Sequence, residues 1–323
     1  MPLEEICLPI KKDLADVEAV IQRHTASTVA YVTSIAEYVI KNGGKRLRPM
    51  LCLFSSRLAG ASGPKVTDCA AAMEFFHTAT LMHDDVIDNA KLRRGKPSAN
   101  NKWGNQIAVL VGDFFYCQAS TLLVGTGNLR IINMVTKAML STTEGEILEI
   151  AKSNDLGTSE EDYLKIVTDK TAVLMATACA IGGILGNVSE EYVSALGEYG
   201  RSLGVAFQLA DDVLDYISDD DFGKTQGTDL REGKLTLPLI TALRHCSNDE
   251  RRLIKDVLIA ENLDDARLRD VIGIINRYGG IENTLNFARS YVQKAKDALH
   301  PFKPCMEKEA LLALASYVID RKQ

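Results

Sequence analysis

The chain lacks the features of a secreted, membrane-spanning or nucleic-acid-binding protein. Its seven cysteines are odd in number and form no Cys-x-x-Cys pair, which argues against a disulfide framework and a paired-thiolate metal site. They lie in apolar stretches such as Leu51-Cys52-Leu53 and Ala178-Cys179-Ala180, and read as small buried hydrophobes of a reducing, cytoplasmic compartment. The first residues, Met-Pro-Leu-Glu-Glu-Ile-Cys, carry neither a basic stretch nor an apolar core, so no export signal is expected. The longest weakly polar run, 171–186, is too short to span a bilayer and is broken by glycines, so no transmembrane segment is expected. Positive charge is in deficit, with a net charge of −6, which argues against a general partner of nucleic acid or anionic membranes. Alternating strand patterns and Asn-Gly or Asp-Gly turns are scarce, and no Pro- or Ser-rich linker divides the sequence. A single domain over residues 1–323 is expected.

What the chain has in quantity is helical periodicity. With 46% apolar residues over 323 positions it can bury a large core, and apolar residues recur every three or four positions almost throughout. This predicts an all-α fold, a bundle of long helices around a central cavity. Helices are expected at 14–24, 28–40, 49–58, 64–89, 104–124, 129–152, 158–185 and 189–217, with shorter ones beyond and a last one at 306–320. Gly43-Gly44 reads as a helix C-cap, residues 91–102 as a polar, basic loop and 218–235 as a mobile loop. Thr158-Ser159-Glu160-Glu161 and Ser247-Asn248-Asp249-Glu250 read as capping boxes.

Within that frame, residues 82–96 stand apart. Asp84, Asp85 and Asp88 occupy i, i+1 and i+4 of an apolar helical run, so Asp84 and Asp88 stack on one face with Asp85 beside them. Carboxylates so crowded raise one another's pKa unless a cation intervenes. A hard, oxygen-seeking divalent ion, completed by substrate phosphates, suits the site. Arg93 and Arg94 follow at once. The device recurs at Asp211, Asp212 and Asp215, trailed by Lys224 and Lys234. One such triplet is usually a solvated face; two in apolar surroundings, each followed by basic residues, point to diphosphate chemistry.

With Gly43-Gly44-Lys45-Arg46-Leu47-Arg48-Pro49 upstream, the three motifs resemble those of the trans-isoprenyl diphosphate synthases, in the same order and nearly from end to end. The resemblance implies the all-α fold of that family and a prenyltransferase that condenses isopentenyl diphosphate onto an allylic diphosphate primer, such as farnesyl diphosphate. It implies a homodimer and about three magnesium ions per active site, acting as Lewis acid and template, held by the two aspartate motifs, with Asp84 and Asp88 opposite Asp211. Arg93, Lys170, Lys224 and Lys234 match the allylic diphosphate site. Gly44, Lys45, Arg48, His77 and Arg94 match the isopentenyl diphosphate site. Thr171 and Gln208 match residues whose oxygens face the carbocation. No histidine or glutamate is placed as a dedicated base; His83, next to Asp84, reads as a packing residue, and the departing diphosphate is the expected proton acceptor.

Product length is expected to depend on the turns before Asp84. Ala79 and Thr80 are small where short-chain relatives carry bulky aromatics, and Phe75 and Phe76 lie one turn deeper. Since a helical turn of about 5.4 Å approximates one isoprene unit, the open turn predicts a product of about eight units, of the kind used for quinone side chains. The alternatives are a geranylgeranyl-type short-chain synthase, a terpene cyclase or head-to-head synthase, and a non-catalytic helical partner subunit. The intact aspartates argue against the subunit, and the glycine motif with His77 against the cyclase.

Overall fold

The computed structural model describes residues 2–217, 226–260 and 264–320. Nearly every ordered segment is helical, as the periodicity predicts. The chain forms two compact units, Met1–Lys137 with Leu174–Gly200 and Ala298–Ala313, and Ala138–Val173 with Arg201–Asp297 and Leu314–Gln323.

The first unit is organised on the 24-residue helix Pro64–Ile87, which packs against Lys11–Thr25, Leu47–Leu58 and, most extensively, Asn105–Gly125. Gly63 turns at φ 101°, and Pro64 supplies a preset φ at the first helical position. The helix ends in a left-handed cap: Asn89 has φ 50° and the Ala90 N–H reaches the Asp85 carbonyl at 2.9 Å. Asp84, Asp85 and Asp88 therefore lie in the final turn. Phe75 stacks on Phe115 with centroids 5.6 Å apart, and Phe76 meets Tyr116 edge-on at 5.0 Å. Phe75, Phe76 and Phe115 are buried, each contributing about 1.5–3 kcal/mol by area.

Asn105–Gly125 is, among the described residues, the one helix long and apolar enough to cross a membrane by length and composition. Val111, Phe115, Ala119 and Leu122 are buried, while Leu110, Tyr116 and Val124 remain exposed.

The second unit packs Glu160–Val167, residues 201–217, Leu237–Leu243, Asn248–Leu258 and Asp265–Arg277 around Leu209, Tyr216, Leu239, Ile254, Val271 and Ile275. Ser247 and Glu250 form the expected capping box, each side chain bonded to the other's backbone N–H.

Several expectations need correction. The other capping box is shifted by one residue, with Ser159 as the cap and Asp162 as its reciprocal partner. The 158–185 run is not one uniform helix: Glu160–Val167 and Val173–Leu185 are joined by a π-helical turn, Thr168–Ala172. Gly43-Gly44 is not a left-handed cap. The helix Ala30–Lys41 is capped by Asn42, and the positive φ falls on Arg46 at 52°. Part of the 91–102 loop is a small hairpin, Leu92–Arg93 paired with Lys96–Pro97, closed by Arg94-Gly95 with φ 53° and 74°. A short helix, Ala99–Trp103, follows it. Of the cysteines, Cys52, Cys69 and Cys179 are buried, whereas Cys117 and Cys305 are exposed.

Candidate active site

In the first unit, the end of Pro64–Ile87, the hairpin and the loop after Ala30–Lys41 border a cavity lined by His77, Arg93, Arg94, Arg46, Glu74 and Asp85 among others. Its character is cationic. His77 is held well below the usual imidazole range, first by burial and then by Arg48, Arg94, Arg93 and Arg46, so it faces the cavity uncharged at neutral pH. Burial also pushes the Arg48 guanidinium down to about 10. Its buried Nε has no hydrogen-bond partner, a polar group an anion would satisfy. Arg94 reaches back across the loop, donating to the Asn42 carbonyl at 3.0 Å, while Lys96 donates to the Asn42 side chain at 2.7 Å. A Cβ at Gly44 would come up against the Arg94 guanidinium, so the glycine lets that side chain pack close against the loop. Lys45 is exposed on the same loop.

Of the first triplet, Asp84 and Asp88 are half-buried and Asp85 is buried. Arg93 donates to Asp85 from Nε at 2.7 Å and from Nη2 at 2.6 Å. Burial raises the Asp85 carboxyl and the guanidinium opposes that rise. Arg93 thus spans the aspartate motif and the cavity, which it also lines. His83 lies 3.2 Å from the Val109 carbonyl and 3.4 Å from Asp113, and a Cβ at Gly112 would strike its ring, so it packs on the neighbouring helix. Ala79 is buried and Thr80 half-buried, with the Thr80 hydroxyl donating to the His77 carbonyl at 2.9 Å.

The second unit has its own cavity, about 120 Å³, lined by Lys170, Thr171, Gln208, Asp212, Asp229 and Lys234 with Glu149 and Tyr163. Lys170 and Thr171 are presented by the π-helical turn, a local irregularity common at functional sites. Gly145 permits that turn to approach: a Cβ there would lie 2.8 Å from the Lys170 backbone nitrogen. Lys170 pairs with Glu146 at 2.7 Å and Glu149 at 2.5 Å. Thr171 donates to Gln208 Oε1 at 3.1 Å, Gln208 Nε2 donates to Asp212 Oδ1 at 2.8 Å, and the Tyr163 hydroxyl donates to Asp212 Oδ2.

Buried Asp212 is pushed up to about 7, by desolvation foremost. Asp229 is raised well above the carboxylate range by burial and by Asp212 and Asp215. Asp215 accepts N–H bonds from Thr228 and Asp229, each at 3.1 Å, and so caps the short helix Thr228–Arg231. Lys234 pairs with Glu232 at 2.8 Å. Lys224 lies outside the described residues.

Among the described residues, no three His, Cys, Asp or Glu side chains form a closed metal cage. The donor set of the two motifs is hard oxygen, with Asp85 and Asp212 also hydrogen-bonded to protein partners. That suits a divalent ion whose coordination is completed by water and phosphate oxygens. Sequence reasoning missed Arg46, Glu74, Glu146, Glu149, Tyr163 and Asp229. The carboxylates of Glu146 and Glu149 stand three residues apart on one helix face, a spacing that could have drawn attention to them.

The polyprenyl synthetase family model matches residues 29–275. The octaprenyl diphosphate synthase of Escherichia coli K12 is 38% identical over 322 residues, covering 99% of each chain. Among solved structures, a polyprenyl synthase from Caulobacter crescentus CB15, complexed with calcium and isoprenyl diphosphate, superposes with a TM-score of 0.95 at 39% identity, covering 100% of this chain and 98% of that one. A decaprenyl diphosphate synthase from Rhodobacter capsulatus gives the same TM-score of 0.95 at 38% identity and full coverage of both chains. Matched along nearly its whole length in both sequence and backbone, the chain belongs to the polyprenyl synthetase family.

Proposed function

We propose that the protein is a long-chain trans-polyprenyl diphosphate synthase, a single catalytic domain that extends farnesyl diphosphate with isopentenyl diphosphate to about eight isoprene units, a product suited to quinone side chains. The observation that carries this reading is the cationic cavity beside the first aspartate motif. Neutral His77 and Arg94 line it, and Arg48, near enough to depress His77, keeps an unpartnered buried Nε; together they offer an anion site that needs no metal, and a chain extender requires such a site for its second diphosphate. Magnesium bound to the aspartates of the two motifs, about three ions as in the family resemblance, supplies the Lewis acidity that lets the allylic diphosphate leave.

Lys170 and Lys234, with Lys224 and Arg93, then meet the charge growing on the departing phosphate. Its leaving takes the carbon–oxygen bonding pair and leaves an allylic cation, toward which Thr171 and Gln208 present oxygen dipoles. The double bond of isopentenyl diphosphate, held by Lys45, Arg48, His77 and Arg94 near Gly44, attacks that cation. A proton then passes to the released diphosphate and restores an allylic product. Ala79 and Thr80 leave room for the growing tail, and Phe75 and Phe76, backed by Phe115 and Tyr116, form its floor.

A cytoplasmic homodimer completes the reading. The exposed Leu110, Tyr116 and Val124 of Asn105–Gly125 supply an apolar face for a second copy to cover.

The test is incubation of the purified protein with labelled isopentenyl diphosphate, farnesyl diphosphate and magnesium, with products sized by mass. Chains of about eight units are expected, none in excess chelator, and a markedly shorter product from Ala79→Phe. No incorporation by the chain alone would mean a partner subunit; arrest at the geranylgeranyl stage would mean a short-chain synthase.

A further inference from the structure

Arg46 sits inside the glycine motif, between two residues given to isopentenyl diphosphate, yet the reading above leaves it unused. Its guanidinium borders the cavity, yet its hydrogen bonds run to protein groups on three helices. Nε donates to Glu18 Oε1 at 2.6 Å and Nη1 to Glu74 Oε1 at 2.9 Å, while Nη2 lies 3.4 Å from Glu18 Oε2 and 3.3 Å from the Ile40 carbonyl. One guanidinium therefore ties the loop to Lys11–Thr25, to Pro64–Ile87 and to the end of Ala30–Lys41. Gly43 makes room for it, since a Cβ there would come within 2.6 Å of Nη1.

The backbone of Arg46 is just as unusual. It is left-handed, at φ 52° and ψ 37°, a conformation that a non-glycine residue holds only when its surroundings over-determine it. The same residue caps the helix Leu47–Leu58, its carbonyl accepting the Met50 N–H at 3.0 Å. Arg46 thus sets the direction in which the chain leaves Lys45 and enters the first turn, which carries Arg48.

We infer that Arg46 is a positioning residue for isopentenyl diphosphate: clamped by Glu18 and Glu74, it holds the left-handed turn that aims Lys45 and Arg48 at the diphosphate. The inference rests on the assignment of that cavity to isopentenyl diphosphate. It also has a competitor, in which Arg46 merely adds positive potential at an anion site. Glu18 separates the two. It does not line the cavity, it is 40% exposed, and Glu18→Gln removes a negative charge while leaving Arg46 cationic. Through-space attraction alone would then tighten binding, whereas a loosened clamp weakens it.

The experiment is steady-state kinetics on the full-length protein, with isopentenyl and farnesyl diphosphate varied in turn. Glu18→Gln should raise KM for isopentenyl diphosphate about 3–10-fold, with kcat and the farnesyl KM within about twofold. Arg46→Gln should raise it about tenfold or more, Arg46→Lys should recover part of the loss, and Glu18→Gln with Arg46→Gln should be no worse than Arg46→Gln alone. Arg48→Ala is the control for the site itself. An unchanged isopentenyl KM in Arg48→Ala overturns the assignment of the cavity. A raised KM in Arg48→Ala with a lowered or unchanged one in Glu18→Gln overturns the clamp alone. Should Glu18→Gln fail to fold, the comparison of Arg46→Gln with Arg46→Lys decides: a KM that stays raised in Arg46→Lys, with at most partial recovery despite the retained charge of lysine, supports the bidentate clamp, and full recovery by lysine refutes it.

Discussion

The two aspartate motifs have the same spacing and opposite surroundings. In the first, the middle carboxylate is matched by a cation: Arg93 holds Asp85 through two nitrogens. In the second, it is matched by neutral donors: the Tyr163 hydroxyl and the Gln208 amide hold Asp212, and burial carries it up to about 7. The charge on the central aspartate is therefore a property of the partner, not of the pattern. A guanidinium partly offsets the loss of water around Asp85, whose carboxyl stays raised, while the hydrogen bonds of a phenol and an amide only moderate the rise of Asp212, which reaches about 7. The outer aspartates are treated differently too, for Asp215 caps a short helix while Asp88 ends a long one.

The comparison predicts its largest effect where the motifs are alike. Asp84→Ala and Asp211→Ala should each lower kcat by about 100-fold or more, on the scale of losing a major transition-state charge contact. A loss confined to one motif would show that only that motif holds the metal.

A smaller effect separates the motifs. Arg93→Gln leaves Asp85 buried without a cation and should lower stability by about 1–3 kcal/mol, less than a fully buried pair would lose because the guanidinium is partly solvated. Tyr163→Phe removes one neutral donor from Asp212 and should cost about 1–2 kcal/mol. Urea denaturation of the metal-free proteins at one pH reads both, and a larger loss in Tyr163→Phe would reverse the ranking of the partners.

The smallest expected effect concerns pH, and it contrasts the cationic cavity with the acidic one. His77 has its folded pKa depressed below the ordinary value of 6.5, by burial and then the surrounding arginines. The unfolded chain therefore binds this proton more readily than the folded one, and stability falls as pH drops below about 6.5 toward the depressed folded value. His77→Asn should remove that part of the acid sensitivity and leave stability above pH 7 little changed. An identical pH profile in the variant, measured by thermal melting without substrate, would mean that His77 is charged or solvated in the folded protein.

Much of the helical framework could be read directly. Leu129–Lys152 and Met306–Asp320 lie where the apolar periodicity puts them, because a helix that buries one face repeats that face in its sequence. The Ser247–Glu250 cap was equally legible, since both of its hydrogen bonds are local. The π-helical turn under Lys170 was not: no residue type announces it, and the room for it comes from Gly145 on another helix. The hairpin at Arg94-Gly95 was missed because arginine is an unusual residue to hold positive φ, and its guanidinium is tied to the Asn42 carbonyl far away in sequence.

The sequence by itself determined the helical class, the family and the identity of the charged groups, all of which depend on periodicity and on motifs within one or two turns. Only the tertiary structure decided the state of those groups. Arg93 spends its charge on Asp85, Lys170 on Glu146 and Glu149, and Arg46 on Glu18 and Glu74, while His77 is kept neutral. The reason is physical: a side chain's charge and aim depend on desolvation and on partners within a few ångströms, and folding draws those partners largely from distant parts of the chain.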